Sequence, residues 1–318
     1  MKVAVICGGS SYERAVSLRS GAAVAEAARE LGHEVTIIDS GPSLSSELRD
    51  GGFDVAVVAL HGKGGEDGHV QGLLELLNVP YTGSRPGPSQ CAYEKARAKR
   101  MLRAADVPTP DFVSLTATAL QEFGAGDALT EASETLGFPV VVKPASGGSA
   151  MGVRIVRDEA ELPRAIVHAM SYDGHVLVER AVHGRELAVC VLGTGDAVRA
   201  LPPIRIVPRN ADHFDFESRY TRGETEYTCP PDDLTDDELA RVEAVALAAY
   251  EALDLSGYGR VDIVLDGDGV PQVLELESVP GMTDTSLLPM AAGAIGMRLA
   301  DIVAVLIDDA VGAGSDSA

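Results

Sequence analysis

Apolar residues in the first quarter of the chain form short runs that alternate with segments of helical spacing. Two such segments, one ending at Leu31 and one over residues 70–77, predict helices. Strands that alternate with helices favour a parallel sheet with right-handed crossovers. Turn residues end this first region near residue 85, so the first domain is predicted to cover residues 1–85. The predicted strands cover residues 3–7, 34–38, 54–60 and 79–82.

The pattern of the middle region predicts a small α/β domain over residues 86–178. Helical spacing covers residues 92–105 and 159–170, and two prolines, Pro108 and Pro110, follow the first of these helices. A Gly/Ser loop separates two apolar runs in the second half of the region. The strands predicted here cover residues 112–115, 138–143 and 153–156.

From residue 176 the chain becomes strand-rich, and we predict a third domain over residues 179–318. A polar stretch, residues 210–231, interrupts the strands and is predicted to be a lid loop, with an ordinary surface loop as the alternative. Helices are predicted over residues 236–252 and 297–311, with a hairpin between them. The whole is predicted to be an α/β protein whose C-terminal part is α+β.

The predicted hairpin carries a concentration of charge. Arg260 and Asp262 are two positions apart on its first strand, as are Glu275 and Glu277 on its second, and DGDG between the strands favours a tight turn. Residues two apart share a face, so three carboxylates and one guanidinium are predicted to converge. Oxygen ligands at this density suit Mg²⁺ or Mn²⁺. A solvated acidic strand face has the same pattern, and both interpretations stay open here.

Composition narrows the classes of partner. The formal net charge of −22 and an aromatic share of 4 % without Trp argue against nucleic acid as a binding partner. No run of about 18 apolar residues predicts a membrane span, and the N-terminus lacks the pattern of a signal peptide. The four cysteines are far apart in the sequence. That spacing fits thiols in the reducing cytoplasm better than disulfides or a zinc site.

Loops after the predicted strands carry candidate chemistry. The segment GGSSYERAVSLRSG opens the first helix, where backbone N–H groups bind anions. Its Glu13 could hold an amine or simply favour the helix N-terminus. In HGKGGEDG, His61 and Glu66 are candidates to face a substrate, although a lone His is more often structural. Tyr220 is the most reactive group of the polar stretch.

Lysine is rare in this chain, which suggests a need for an ammonium where it does occur. Lys95 lies in YEKARAK, and Lys143 precedes the loop ASGGSAMG. The small residues of that loop would let backbone amides approach phosphate oxygens, or they form an ordinary hairpin loop. All five lysines are at positions 2, 63, 95, 99 and 143.

Eight motifs follow one another along nearly the whole chain: GGSSYE, HGKGGEDG, YEK, VVVKP, VLVER, FDFESRY, GYGRVD and LELESVPGMT. In this order they resemble the D-alanine–D-alanine ligase family of the ATP-grasp superfamily. The resemblance implies a Rossmann-like N-terminal domain and two ATP-grasp subdomains that hold ATP between them. It also implies that two D-alanines are joined through an acyl phosphate for peptidoglycan synthesis, by a cytoplasmic homodimer.

The resemblance implies roles for residues on the nucleotide side. Lys95, Lys143 and Arg219 would contact the phosphates of ATP. Glu179 and Glu186 would hold the adenine end and the ribose hydroxyls. The ligands of two Mg²⁺ or Mn²⁺ ions would be Asp262, Glu275 and Glu277.

It implies further roles on the amino-acid side. Glu13 would meet the ammonium of the first D-alanine, and His61 would line the same pocket. Ser149 and Tyr220 would join Glu13 in a hydrogen-bonded triad. Arg260 would face the oxyanion of the tetrahedral intermediate. Three residues would complete the pocket, with the amide of the first near the oxyanion and the other two at the second carboxylate: Gly281, Ser286 and Leu287.

Four positions depart from the usual family pattern. Glu277 stands where Asn is usual, Arg219 replaces Lys, Ala150 replaces a second Ser, and Glu94 replaces Asp. Because of these changes, the alternative function is that of a related ligase that joins other amino acids, in a secondary-metabolite or resistance role. Tyr220 favours dipeptide over depsipeptide formation. A non-catalytic nucleotide-binding protein and a nicotinamide dehydrogenase are further alternatives.

Overall fold

Three β-sheets organise the computed structural model, which describes residues 1–124, 134–209 and 223–315. The strands are β1 Lys2–Cys7, β2 Glu34–Asp39, β3 Val55–Val58, β4 Phe112–Thr116, β5 Val140–Pro144, β6 Arg154–Val156, β7 His175–Arg180, β8 Gly184–Gly193, β9 Arg199–Ala200, β10 Ile204–Pro208, β11 Thr225–Thr228, β12 Gly257–Asp266 and β13 Pro271–Glu277. The helices are α1 Arg14–Glu30, α2 Leu44–Gly51, α3 His69–Leu76, α4 Pro86–Tyr93, α5 Lys95–Ala104, α6 Ala117–Phe123, α7 Leu162–Met170, α8 Asp236–Ala252, α9 Leu287–Ala294 and α10 Leu299–Ser315.

The N-terminal sheet is parallel, as predicted, with the strand order β2-β1-β3. Its central strand β1 is almost fully buried, which explains its continuous apolar run. The C-terminal helix α10 packs against α1 and β3, so the two ends of the chain share one hydrophobic core. Helix α2, between β2 and β3, was not predicted from the sequence pattern.

Residues 79–82 do not form the predicted fourth strand. Ala56 donates its N–H to the Pro80 carbonyl at 2.8 Å and accepts from the Thr82 N–H at 3.0 Å, and the contact is a single bridge. Pro80 has no N–H of its own to extend the ladder. Two positions further along β3, the Val58 N–H donates to the Thr82 hydroxyl at 3.1 Å. A side chain thus replaces the backbone pairing that the apolar pattern suggested.

The single helix predicted over residues 92–105 is two helices, α4 and α5. Glu94 between them has an extended backbone, with φ −88° and ψ 92°. Pro86 occupies the start of α4, where its missing N–H is not needed. At the break, the Lys95 N–H donates to the Ala145 carbonyl at 2.8 Å, so the start of α5 is tied to the end of β5.

The other two sheets are antiparallel. The central sheet has the order β4-β7-β5-β6, and its last residue in β7, Arg180, lies just past the predicted domain limit at residue 178. The C-terminal sheet has the order β11-β10-β8-β12-β13, with β9 paired to β8. The predicted hairpin is its β12–β13 pair. Part of the predicted lid stretch, Thr225–Thr228, is strand β11 paired with β10.

The described residues include no single helix of the length and apolar composition that a membrane crossing needs. A bent pair, Leu287–Ala294 with Leu299–Gly312, meets that criterion only when its two helices are taken together across a 104° bend.

Candidate active site

A large cavity of about 430 Å³ lies between the central and C-terminal sheets. This volume is within the range of small-molecule sites. Its apolar lining comes from both sheets, including Val141, Ile155, Val264 and Leu274. Its charged lining residues are Lys95, Lys143, Arg157, Glu179, Arg180, Glu186, Asp262 and Glu275, with His183 beside them. The cavity therefore offers apolar walls for a flat ring and charged groups for an ionic ligand.

A buried ionic network lies beside this cavity. The ammonium of Lys143 is 2.6 Å from Glu179 Oε1, and the ammonium of Lys99 is 3.0 Å from Glu179 Oε2. Burial alone would raise the pKa of Glu179, but the two ammonium groups hold it below its usual value. Burial lowers the pKa of Lys99 to about 8. Glu179 is therefore an ionised carboxylate shared by two lysines.

The Gly/Ser loop between β5 and β6 forms one edge of the cavity. Lys95 reaches it by donating a hydrogen bond to the Gly147 carbonyl, and its ammonium is also 3.4 Å from Glu275 Oε2. Ser149 and Ala150 both have φ of +55°, a left-handed conformation that non-glycine residues rarely adopt. Such strain persists where surrounding contacts hold it, and it is frequent at functional sites.

A smaller polar pocket of about 90 Å³ lies where the N-terminal sheet meets the C-terminal one. Glu13, at the N-terminus of α1, is buried there, and its carboxylate accepts a hydrogen bond from the Ser149 hydroxyl. A Cβ atom at Gly62 would come within 2.4 Å of the Glu13 carboxylate. Glycine at this position therefore lets the loop after β3 approach Glu13.

His61 in this polar pocket is fixed as a neutral ring. Its Nδ1 lies 3.0 Å from the Val279 carbonyl and its Nε2 lies 2.8 Å from the Ser20 hydroxyl. A carbonyl can only accept, so Nδ1 carries the proton and Nε2 accepts from Ser20. The same Ser20 oxygen accepts from the Met282 N–H at 3.2 Å. Burial lowers the pKa of His61 to about 4, which keeps the ring uncharged at neutral pH.

Glu66 is a second buried acid near the polar pocket. Burial raises its pKa well above the usual value, and the nearby carboxylates of Glu13 and Glu277 raise it further. Its Oε1 is 3.9 Å from Nδ1 of His61. Burial and the two neighbouring carboxylates thus both favour the protonated form of Glu66.

The hairpin residues meet on one face, as their spacing predicts. In the register, Arg260 lies opposite Glu277 and Asp262 lies opposite Glu275. The guanidinium of Arg260 donates to Asp262 at 2.7 and 3.0 Å and also pairs with Glu277. Burial alone would lower the pKa of Arg260, but Asp262 and Glu277 raise it, so Arg260 stays charged.

A third space of about 30 Å³, the connecting pocket, lies between the large cavity and the polar pocket. It shares Lys95 and Glu275 with the large cavity. It shares Ser149, Arg260 and Glu277 with the polar pocket. The three spaces thus adjoin one another, and Arg260 lies where the connecting pocket meets the polar pocket.

Two family models match the sequence that builds this site. One, described as D-ala D-ala ligase C-terminus, matches residues 101–308, and the other, D-ala D-ala ligase N-terminus, matches residues 40–84. The chain belongs to the D-alanine–D-alanine ligase family.

Individual relatives agree with the family models. A D-alanine–D-alanine ligase from Moorella thermoacetica is 43 % identical over 310 residues, which are 97 % of this chain and 98 % of the relative. The structure of a D-alanine–D-alanine ligase from Bacillus anthracis complexed with ATP is similar with a TM-score of 0.84 and 32 % identity, covering 100 % of both chains. A D-Ala:D-Ser ligase from Enterococcus faecalis has a TM-score of 0.83 and 27 % identity, over 96 % of this chain and 98 % of that one. The predicted family and fold class are confirmed.

The structure brings together most residues that the family resemblance singled out. Glu186 lines the large cavity. Glu179 also lines it, but its carboxylate pairs with Lys143 and Lys99. Arg219 and Tyr220 lie outside the described residues. Eight residues of the resemblance line the polar pocket: Glu13, His61, Ser149, Arg260, Glu277, Gly281, Ser286 and Leu287.

The carboxylates predicted to bind metal are engaged by cations of the protein. Within residues 1–124, 134–209 and 223–315, no group of three or more His, Cys, Asp or Glu side chains is arranged to hold a metal ion. Arg260 pairs with Asp262 and Glu277, and Lys95 pairs with Glu275. The donor set itself fits a divalent cation, because it supplies hard oxygen atoms from one face of the β12–β13 pair, with Asp262 and Glu275 at the edge of the large cavity.

Sequence reasoning did not single out Ser20 or Lys99. Lys99 had a usable signal, since it follows Lys95 by four positions and so lies on the same face of one helix. Ser20 had none, because its partners His61 and Met282 come from distant segments. Ser20 contacts these two residues only because the N-terminal sheet and the loop after β13 meet at the polar pocket.

Proposed function

We propose that this chain is an ATP-dependent, ADP-forming ligase that joins two D-alanines into D-alanyl-D-alanine. One observation carries the proposal: the large cavity, the connecting pocket and the polar pocket adjoin one another through shared lining residues, with Arg260 where the last two meet. A ligase of this class must hold a nucleotide and two amino acids end to end. Three joined spaces of unequal size and different lining suit that task.

The first step activates a carboxylate. A carboxylate oxygen of the first D-alanine attacks the γ-phosphorus of ATP, the bond to the β–γ bridging oxygen breaks, and ADP leaves. The phosphoryl group carries spread negative charge during this transfer, which positioned cations stabilise. Lys95 and Lys143, at the large cavity, are our candidates for that stabilisation. The product of the step is an acyl phosphate beside the connecting pocket.

The second step forms the amide. The amine of the second D-alanine attacks the acyl carbon, negative charge develops on the carbonyl oxygen, and inorganic phosphate leaves as the amine loses a proton. A guanidinium at the developing oxyanion favours this transition state. Arg260 lies at the junction where the acyl carbon would sit, and Gly281 lines the adjoining polar pocket.

The polar pocket supplies groups for both amino acids. The Glu13 carboxylate would pair with the ammonium of the first D-alanine, while neutral His61 lines the pocket without adding charge. Helix α9 begins at Leu287, directly after Ser286. The backbone N–H groups of its first turn would donate to the carboxylate of the second D-alanine. Each substrate would thus be oriented by a group of complementary charge.

A divalent cation belongs to this proposal. Asp262, Glu275 and Glu277 would hold it, and when bound it would neutralise charge on the phosphates. Supply of a peptidoglycan precursor, a homodimeric assembly and a cytoplasmic location are further parts of the same proposal, and they rest on the family resemblance.

The test is a product assay with D-alanine, ATP and MgCl₂, followed by mass spectrometry of the product and by ADP release. We expect one ADP for each dipeptide, and no ADP when D-alanine is left out. Folded protein that releases no ADP with D-alanine would refute the proposal. A panel of D-serine, D-lactate and L-alanine tests the alternative, and a higher kcat/KM for one of them would replace D-alanine as the substrate.

A further inference from the structure

Lys99 is a buried cation outside the residues that line the candidate site. It lies on α5, and its side chain is 1 % exposed. It is not among the described residues that line the large cavity, the connecting pocket or the polar pocket. An ammonium taken out of water is unfavourable unless charged and polar partners surround it. Its location therefore calls for a reason beyond packing.

Lys99 is connected to both sheets that form the large cavity, directly to one and through Thr109 to the other. Its Nζ is 3.0 Å from Glu179 Oε2, on β7 of the central sheet. It also donates to the Thr109 hydroxyl at 2.5 Å, and that hydroxyl donates to the Val273 carbonyl at 2.7 Å, on β13 of the C-terminal sheet. Glu275 follows Val273 by two positions on the same strand. One ammonium thus links the two walls.

Charge explains what this link does for the ligand site. Glu179 carries one negative charge and meets two ammonium groups, one on each oxygen. With Lys99 present, the three side chains carry a net charge of about +1 at neutral pH. Without Lys99, Glu179 and Lys143 would form a neutral pair, and Lys143 would be held by that carboxylate alone.

We propose that Lys99 is a positioning residue that shares the charge of Glu179, so that the ammonium of Lys143 stays available to the polyphosphate of a nucleotide. This inference rests on the proposed function, because it takes the ligand of the large cavity to be ATP. Lys99 acts through Glu179 and Lys143 and does not touch the ligand. Its effect belongs to ATP binding and leaves the amino-acid side unchanged.

The main test compares Lys99→Met with wild type and with Lys2→Met, a control that removes a lysine from the distant strand β1. ATP affinity is measured by calorimetry, and KM is measured separately for ATP and D-alanine. We expect Lys99→Met to weaken ATP binding and raise KM for ATP by about tenfold, as for the loss of one partly screened charge. KM for D-alanine and the Lys2→Met control should stay near wild type. Equal ATP binding by Lys99→Met and wild type would overturn the inference.

A double variant tests the route through Glu179. In Glu179→Gln no carboxylate remains for Lys99 to neutralise, so adding Lys99→Met should weaken ATP binding no further. A second loss of about tenfold in the double variant would overturn the inference, because independent sites add. This comparison also decides the matter if Lys99→Met alone does not fold.

Failure of the inference is distinguishable from failure of the proposed function. Wild-type protein that binds no ATP refutes the proposed function. Thr109→Val removes the hydrogen bonds that connect Lys99 to the C-terminal sheet but keeps the charges of Lys99, Lys143 and Glu179. We therefore expect ATP affinity near wild type, with a lower melting temperature. A tenfold loss of ATP affinity in Thr109→Val would contradict the charge argument.

Discussion

The large cavity and the polar pocket recognise ligands by different means. The large cavity has a volume of about 430 Å³ and apolar walls, and its charged groups are held by other charged groups of the protein. The polar pocket has a volume of about 90 Å³, and its histidine is fixed by two hydrogen bonds. The contrast indicates that shape and charge select the ligand of the large cavity, whereas fixed donors and acceptors select that of the polar pocket.

Replacing the residue at the junction should affect both regions most strongly. For Arg260→Met we expect turnover to fall about a hundredfold or more, because an oxyanion donor is lost. The free energy of unfolding should fall by about 3 kcal/mol, because the buried carboxylate of Asp262 and the half-buried carboxylate of Glu277 lose their partner. Steady-state rates and urea unfolding measure the two effects.

The matched control is Arg298→Met, which removes an exposed guanidinium paired with Glu30. Exposed pairs contribute about 1 kcal/mol or less, so neither rate nor stability should change appreciably. If Arg260→Met retained wild-type turnover while folded, Arg260 would not join the two regions in the way we describe.

The next largest effect is expected in the large cavity. Lys143→Met should lower kcat/KM for ATP by about a hundredfold, since a cation facing the phosphates is lost. KM for D-alanine should change by less than about twofold, because the polar pocket holds its own partners. Glu179 keeps Lys99 as a partner, so stability should change little. Parallel titrations of both substrates provide the measurement, and an equal rise in both KM values would contradict the comparison.

A smaller effect is expected from the polar pocket. Ser149→Ala removes the hydroxyl that donates to Glu13 and should raise KM for D-alanine about tenfold, as for one hydrogen bond to a charged group. KM for ATP should stay near wild type. Exposed Ser171 supplies the control, Ser171→Ala, which should leave both KM values unchanged. A rise confined to ATP would place Ser149 on the wrong side of the comparison.

The pH dependence of stability reports on His61. Its pKa is lowered from 6.5 to about 4 in the folded protein, so below about pH 6.5 the unfolded chain binds a proton that the folded one does not. Stability from the neutral ring is present above that pH and is lost as the pH falls towards 4. Wild type should therefore lose about 3 kcal/mol more than His61→Gln between pH 7 and pH 4. Urea unfolding at several pH values measures the difference, and equal losses would show that His61 is not buried as a neutral ring.

Much of the fold follows from local pattern, and the exceptions have local causes. The hairpin was predictable because strand spacing and the DGDG turn set which side chains share a face. The prediction of a strand over residues 79–82 was wrong because Pro80 lacks an N–H and the Thr82 side chain takes the place of backbone pairing. Helix α4 was missed because its two prolines, Pro86 and Pro88, suggest a turn as readily as a helix start.

The site was less predictable where burial decides the chemistry. The face shared by Arg260 and Asp262 could be predicted from spacing alone. The neutral state of His61 could not, because it depends on Ser20 and on Val279, which is 218 positions away. Lysines on helices are usually solvated, and the burial of Lys99 follows from strands that pack over it only in the folded chain.

The size of the connecting pocket determines whether an activated acyl group would react with water or with the incoming amine. Its volume of about 30 Å³ leaves room for about one or two water molecules beside the place where that group would form. Bulk solvent would therefore compete poorly with the incoming amine, and little ATP would be spent without product.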